Sequence, residues 1–227
     1  MCTSIISNGN KTLVGWNLDL LDMDYRVRPN DLGVFIEIND RTEGWMPIFG
    51  ANKRGDFVGM PACWPYDDRS EPKEGTTDII HLDIDFLLMK QTLSEVRDIA
   101  ESGAVSSIHG VTFMAALSDK EGHLLHIVPG QGSTYYDRPK YKVLTNFSPF
   151  KMDSEKHPWM GWDRYQTAAK LLSEAGDDLD VLGMFDILKA ASQMVCPTVV
   201  SMVFDVGEKM VYWCENREWD RIENVKL

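Results

Sequence analysis

The alternation of apolar and polar positions divides this chain into strand-like and helix-like stretches. The first signal is a hairpin. Residues 3–6 and 12–14 are β-prone runs on either side of Ser7-Asn8-Gly9-Asn10, and Asn-Gly supplies the positive φ angles of a tight hairpin turn. With Ile6 paired to Lys11, Cys2 falls opposite Gly15, or one position away if a bulge intervenes. Residues 34–38, 45–49 and 56–60 follow as strands, and 61–75, with three prolines and many charges, as a loop.

Residues 79–90 are apolar enough for a helix, and Ser94 opens a second through Glu101. A hairpin then joins 112–118 to 123–128 through Asp119-Lys120-Glu121-Gly122, and 142–145 is a short strand. Trp162, Tyr165, Ala169 and Leu172 recur at helical spacing, as do Val181, Met184, Phe185 and Leu188. Gly176 ends the first of these helices. Strands 198–204 and 210–214 close the chain. Strands come first and last with helices in two blocks. That order predicts an α+β domain of antiparallel sheet layered with helices, not a βαβ wind. With no repeat, linker or low-complexity segment, 1–227 is expected to be one domain.

Composition narrows the function. The net charge of −12 argues against nucleic acid and against an anionic membrane surface. No apolar run approaches a transmembrane span, and Met1-Cys2-Thr3-Ser4-Ile5 has no basic region or signal core, so a cytoplasmic location is expected. Cys2, Cys63, Cys196 and Cys214 form no zinc spacing and no disulfide framework; Cys196 and Cys214 read as buried thiols. His81, His109, His123, His126 and His157 show no metal-binding spacing, and His123 and His126, three apart on a strand, point to opposite faces. Gly130-Gln131-Gly132 lacks the strand-glycine-helix context of a phosphate loop. No metal, nucleotide or other cofactor is expected.

The residue that carries most chemistry is Cys2. Once Met1 is removed, a thiol nucleophile and an α-amine base share one residue. A free α-amine titrates at about 7.7–8.0 and can take a proton near neutral pH; a thiol reacts once it is a thiolate. If Met1 stays, the amine is locked in a peptide bond and this chemistry fails. Three further residues suit an amide hydrolase. Asp19, just past the strand paired with the N-terminus, could orient the amine and thiol, or be a surface Asp at a strand end. Asn146, after a short apolar strand, could donate a side-chain N–H to an oxyanion, or cap the turn before Pro149. Arg164 could anchor Asp19 or a substrate carboxylate through paired contacts, or lie on a solvated helix face.

The ensemble resembles the cholylglycine hydrolase group, which includes bile salt hydrolases and penicillin V acylases, within the N-terminal-nucleophile hydrolases. Met1-Cys2-Thr3 looks like the family's start, and Gly15-Trp16-Asn17-Leu18-Asp19 is similar to its Gly-Arg-Asn-Met-Asp motif. Gly50-Ala51-Asn52-Lys53-Arg54-Gly55 resembles its Gly-Met-Asn-Glu-Lys-Gly stretch, and Leu144-Thr145-Asn146-Phe147-Ser148-Pro149 its Leu-Thr-Asn-Ser-Pro segment. Asp163-Arg164-Tyr165 is similar to its Ser-Arg-Phe helix start. No one motif is specific, but the five stand in order, the first of them carrying Cys2, and cover nearly the whole chain.

The resemblance implies a four-layer αββα sandwich and hydrolysis of a linear amide C–N bond in a small-molecule N-acyl compound. It implies Cys2 as nucleophile with its α-amine as base, Asp19 orienting that amine, Asn146 and the backbone N–H of Cys63 holding the oxyanion, and Arg164 supporting the site. Two departures stand out. Trp16 occupies the place of an arginine that favours the thiolate by charge. It cannot do that, although it could line an acyl pocket, as could Trp64; Arg26 or Arg28 is the candidate replacement charge. The stretch from Asn146 to Arg164 is short where bile salt hydrolases carry a tetramer-forming insertion, so a homo-oligomer is open but that tetramer is not implied. The alternatives are an acyltransferase of the isopenicillin-N acyltransferase kind, a silent acyl-ligand-binding relative, and a structural domain.

Overall fold

In the computed structural model residues 1–151 and 159–227 are described; His157 lies outside them. The N-terminal hairpin joins β1 (Cys2–Asn8) to β2 (Thr12–Asp19). Next come β3 (Tyr25–Asn30), β4 (Gly33–Asp40), β5 (Gly44–Asn52), β6 (Phe57–Gly59) and β7 (Ala62–Cys63). After β8 (Thr77–Asp78) run the helices α1 (Ile79–Leu87) and α2 (Leu93–Glu101). The middle of the chain holds β9 (Val105–Ser106), β10 (Thr112–Phe113), β11 (Ala115–Ser118), β12 (Leu124–Val128), β13 (Gly132–Tyr136) and β14 (Tyr141–Leu144). The helices α3 (Trp162–Ala175) and α4 (Val181–Ala190) lead into β15 (Thr198–Asp205), β16 (Met210–Glu215) and β17 (Glu223–Lys226).

Two antiparallel sheets dominate. One has the order β14-β1-β2-β15-β16-β17, the other β13-β12-β11-β6-β5-β4-β3. Helices α3 and α4 cover the outer face of the first sheet, where Ile5, Leu13 and Val203 meet Leu172, Met184 and Leu188. Helices α1 and α2 pack against the second sheet. Between the sheets lies the main core, with Ile6, Val14 and Trp16 from the first sheet and Ile36, Phe49 and Phe57 from the second. The layers are therefore α, β, β, α, as expected.

Local sequence accounts for the helix ends. Asp78 accepts the backbone N–H groups of Ile80 and His81 at the start of α1. Thr92 and Glu95 form a capping box that starts α2 at Leu93, one residue before the expected Ser94. Helix α1 stops at Leu87, short of the expected residue 90, and Met89 turns to a φ of +61°.

Three expectations need correction. First, Cys2 pairs with Leu18, not with Gly15, and Ile6 with Val14. The strands run on until Asn8 faces Thr12, because the Asn8 amide donates to the carbonyls of Gly122 and Pro139 and so stays in the strand. Gly9 serves close packing instead of a positive φ: a Cβ there would lie 2.4 Å from the Asp177 carbonyl oxygen. Second, the loop 61–75 contains β7 and a short 3-10 turn at Asp68–Ser70. Third, β3, β13 and β17 are strands where the sequence predicts none; β3 and β13 are the edges of the second sheet and β17 an edge of the first.

Candidate active site

Strand alternation sorts the residues around Cys2 onto two faces. On β1 and β2, Cys2, Ile6, Val14, Trp16 and Leu18 face the core between the sheets, whereas Ile5 and Leu13 face α3 and α4. Thr3 and Asp19 lie on the helix side, where a guanidinium reaches both.

That guanidinium belongs to Arg164, on the first turn of α3 and buried. Its Nη1 donates to the Cys2 carbonyl at 2.9 Å, to Thr3 Oγ1 at 3.0 Å and to Asp19 Oδ2 at 3.4 Å. Its Nη2 donates to Asn146 Oδ1 at 2.6 Å. Gly161 leaves room for it: with φ at +77°, a Cβ there would sit 2.6 Å from Nη2. Asn146 follows β14, and its Oδ1 also accepts the Cys2 backbone N–H at 3.0 Å. Its Nδ2 donates to the Ala62 carbonyl at 2.6 Å. Two donors at Oδ1 and a carbonyl at Nδ2 fix which way the amide points.

Asp19 is buried among donors. Thr198 Oγ1 meets Oδ1 at 2.6 Å, and Gln193 Nε2 meets Oδ2 at 2.6 Å. Burial pushes its carboxyl up to about 6, against the hydrogen bond from Thr198, the charge of Arg164 and the hydrogen bond from Gln193. Burial also pushes the Cys2 thiol up to about 11, countered in part by the Met1 amine and Arg164. The Met1 amine donates to the Asp19 carbonyl at 3.0 Å and to Cys196 Sγ at 3.6 Å. Burial opposes its charge, but Cys2, Cys196 and Asp19 outweigh that and leave its pKa raised.

Cys2 opens onto a cavity of about 240 Å³ between the sheets. Its walls are almost wholly apolar, with Leu18, Ile38, Met46, Phe49 and Phe113 among them, and Met1 and Asp19 also reach it. Among the described residues no group of three His, Cys, Asp or Glu side chains could hold a metal. Among the described residues no histidine lines the cavity: His126 is buried with neither ring nitrogen hydrogen-bonded, and burial and then Lys142 lower its pKa to about 3. His81, His109 and His123 lie beside Asp78, Glu71 and Asp119 respectively.

Four expected residues, Cys2, Asp19, Asn146 and Arg164, thus share one hydrogen-bonded network. The others stand apart. Trp16 is fully buried between the sheets, 5.2 Å from the Phe49 ring, and does not line the cavity. Trp64 is 43% exposed and contributes its backbone, whose N–H donates to the Asn146 carbonyl at 2.8 Å. Cys63 lies opposite Thr112, its side chain packed with Met114 and Val128, and its neighbour Ala62 forms the cavity wall. Arg26 and Arg28 are no substitute cations for Cys2. Both pair with Glu37, at 2.5 and 3.7 Å.

Thr3, Gln193 and Thr198 escape sequence reasoning. Thr198 is placed by register alone, since β15 sets it beside Asp19. The partial signal was the polar pair Asp19 and Arg164, whose buried charges require further partners.

No protein-family model matches the chain, and no curated protein matches it. Solved structures do. A variant of the conjugated bile acid hydrolase from Clostridium perfringens superposes with a TM-score of 0.68 at 14% identity, covering 99% of this chain and 92% of that one. The Caenorhabditis elegans ortholog of N-acylethanolamine-hydrolyzing acid amidase gives 0.60 at 17%, covering 100% of both chains. A penicillin V acylase from Agrobacterium tumefaciens gives 0.60 at 13%, covering 95% and 83%. The chain has the αββα fold of the N-terminal-nucleophile hydrolases.

Proposed function

We propose that this protein hydrolyses a linear amide C–N bond of an N-acyl compound through an acyl-enzyme on Cys2. The observation that carries the reading is the joining of Cys2 to Asn146, Arg164 and Asp19 in one network beside an apolar cavity. A chain built only for packing has no use for a buried guanidinium at the second residue's carbonyl. Amide-cleaving neighbours of the same fold support the reaction class.

The chemistry begins with removal of Met1, which frees the Cys2 α-amine. That amine takes the thiol proton, and the thiolate attacks the amide carbonyl. An amide nitrogen carries two N–H groups, so Asn146 Nδ2 keeps one for the oxyanion beyond its bond to Ala62. The Cys63 backbone N–H is the second proposed donor. The ammonium then protonates the leaving nitrogen as the C–N bond breaks, leaving a thioester. Water attacks the thioester, the amine takes its proton, and the C–S bond breaks to release the carboxylic acid and restore the thiol. Asp19 orients the amine, and Arg164 holds Asp19 and Asn146 in place.

A silent acyl-ligand binder is the competing reading, and one observation favours it. Burial holds the Cys2 thiol near 11 while Met1 is in place, with Trp16 where a cation would help. Intact mass before and after a thiol-reactive acylating probe separates the two. Loss of Met1 with one adduct, absent in Cys2→Ala, is the expected result. Retained Met1, or labelling indifferent to Cys2, refutes the hydrolase. An added amine that outcompetes water would move the assignment to acyl transfer.

A further inference from the structure

The cavity beside Cys2 has walls of one character and a mouth of another. Along β4 and β5 the wall runs from Phe49, packed on Trp16, through Ile48 and Met46 to Asp40 at the hairpin tip. Asp40 and Asp19 are the acidic side chains that line it, and no Lys, Arg or His among the described residues does. The N-terminal ammonium also reaches it, but it donates to the Asp19 carbonyl and to Cys196 beside Cys2, not to Asp40. Asp19 is occupied by Thr198, Gln193 and Arg164. Asp40 is fixed at the tip, where its Oδ1 accepts the N–H groups of Thr42 at 2.7 Å and Glu43 at 2.9 Å.

The segment between β2 and β3 completes this side of the mouth. Leu20 and Met23 line the cavity, and the two loops are joined where the Asn39 N–H donates to the Asp24 carbonyl at 3.0 Å. Together these loops carry Asp22, Asp24, Asp40 and Glu43 against one cation, Arg41. The nearest further arginines, Arg26 and Arg28, are paired with Glu37, and Arg26 also lies 4.2 Å from the Trp45 ring centroid.

Binding a carboxylate or sulfonate takes a guanidinium, an ammonium or a set of backbone N–H groups aimed at it. This mouth offers fixed negative charge instead, and like charges brought together at a partly desolvated site discriminate strongly. We propose that the cavity takes N-acyl amides that carry no negative charge, with an apolar acyl chain against the walls and an uncharged or cationic amine half at the mouth, and that Asp40 excludes anionic ones. The inference rests on the hydrolase reading for the identity of the ligand as an N-acyl amide, and it names the class of amide.

Binding to the Cys2→Ala protein tests it without any turnover. Three ligands share one decanoyl chain: N-decanoylethanolamine, N-decanoyl-1,3-diaminopropane and N-decanoylglycine. Titration at low ionic strength should give a Kd for the glycine conjugate at least tenfold weaker than for the ethanolamide, with the diaminopropane amide at least as tight as the ethanolamide. Raising the salt should narrow the gap. Asp40→Asn keeps an acceptor for the Thr42 and Glu43 N–H groups and should cut the ratio of glycine to ethanolamide Kd at least threefold. Equal affinity for the glycine conjugate, a ratio unmoved by Asp40→Asn, or no binding of any of the three overturns the proposal. Because nothing here depends on catalysis, a protein that fails acyl-probe labelling yet ranks the ligands this way loses the hydrolase reading and keeps the charge selection.

Discussion

Asp19 and Asp83 are equally hidden and differ in the partners that meet their oxygens. Both are buried, at 2% and 0% exposure. Asp19 has Thr198, Gln193 and Arg164 around its two oxygens and is pushed up only to about 6. Asp83 has no hydrogen-bond partner at either oxygen, and burial, with a smaller contribution from Asp78, raises its pKa well above the usual carboxylate range. It sits on the core-facing stripe of α1, among Ile79, Leu82, Phe86 and Leu87. A carboxyl that is buried and served by donors has been placed for its charge. One that is buried and unserved is held as a neutral acid and weakens the fold when it ionises. The contrast separates Asp19, which belongs to the network around Cys2, from Asp83, which has no hydrogen-bond partner.

Breaking the served side should have the largest effect. Arg164→Met keeps the length of the side chain and removes four hydrogen bonds, to the Cys2 carbonyl, Thr3, Asp19 and Asn146. It strands the Asp19 charge and leaves Asn146 held by fewer contacts. A loss of about 3–5 kcal/mol is expected for a buried pair deprived of one partner, read by urea denaturation, with Cys2 labelling abolished. A loss below 1 kcal/mol with labelling intact would mean that the network is ornamental.

Relieving the unserved side should stabilise. Asp83→Leu removes a buried acid without donors, and a gain of about 1–3 kcal/mol at neutral pH is expected. The sign follows from linkage. A carboxyl whose folded pKa is raised stays protonated after the unfolded chain has lost its proton, so stability falls as pH rises from the unfolded value toward the folded one. The gain should therefore shrink as pH drops toward about 4, where the unfolded Asp itself protonates. Asp83→Asn, close in shape, should flatten the same pH slope; a slope unchanged in both variants would refute the assignment.

Much of this was legible in the chain, and the rest was hidden for identifiable reasons. Helix α4 and the strands β4, β5 and β15 follow apolar runs that need no tertiary information. Strand β3 was hidden because an edge strand tolerates charges and Pro29. The register of the first hairpin was hidden because Asn8 is held by Gly122 and Pro139, more than a hundred residues away. Cys2, Asp19, Asn146 and Arg164 could be named together, but not the way they join, since Thr198 and Gln193 come from the other end of the chain. Trp16, a candidate for the acyl pocket by sequence, does not line it. Its strand position puts it on the same face as Cys2, two residues deeper, where the second sheet closes over it and a Cβ at Gly59 would lie 2.7 Å from its ring.

Weakening the service to Asp19 without removing it is the smallest and most discriminating change. Thr198→Val deletes the hydroxyl that donates to Oδ1 at 2.6 Å and keeps the branched shape that the start of β15 packs. A hydrogen bond to the ionised form is part of what holds the Asp19 pKa near 6 against burial, so its loss must raise that pKa. If ionised Asp19 orients the amine of Cys2, kcat/KM of the wild-type protein falls on the acid side with an apparent pKa near 6, and Thr198→Val moves that limb to higher pH. The hydroxyl also accepts the Gln193 N–H at 3.1 Å, so the stability cost should be about 1–2 kcal/mol, the net worth of two hydrogen bonds. Asp19→Asn, which cannot ionise, should lower activity throughout and erase the limb. An acid limb that stays in place in Thr198→Val and persists in Asp19→Asn would belong to another group, and the difference between the two buried carboxyls would then be one of packing alone.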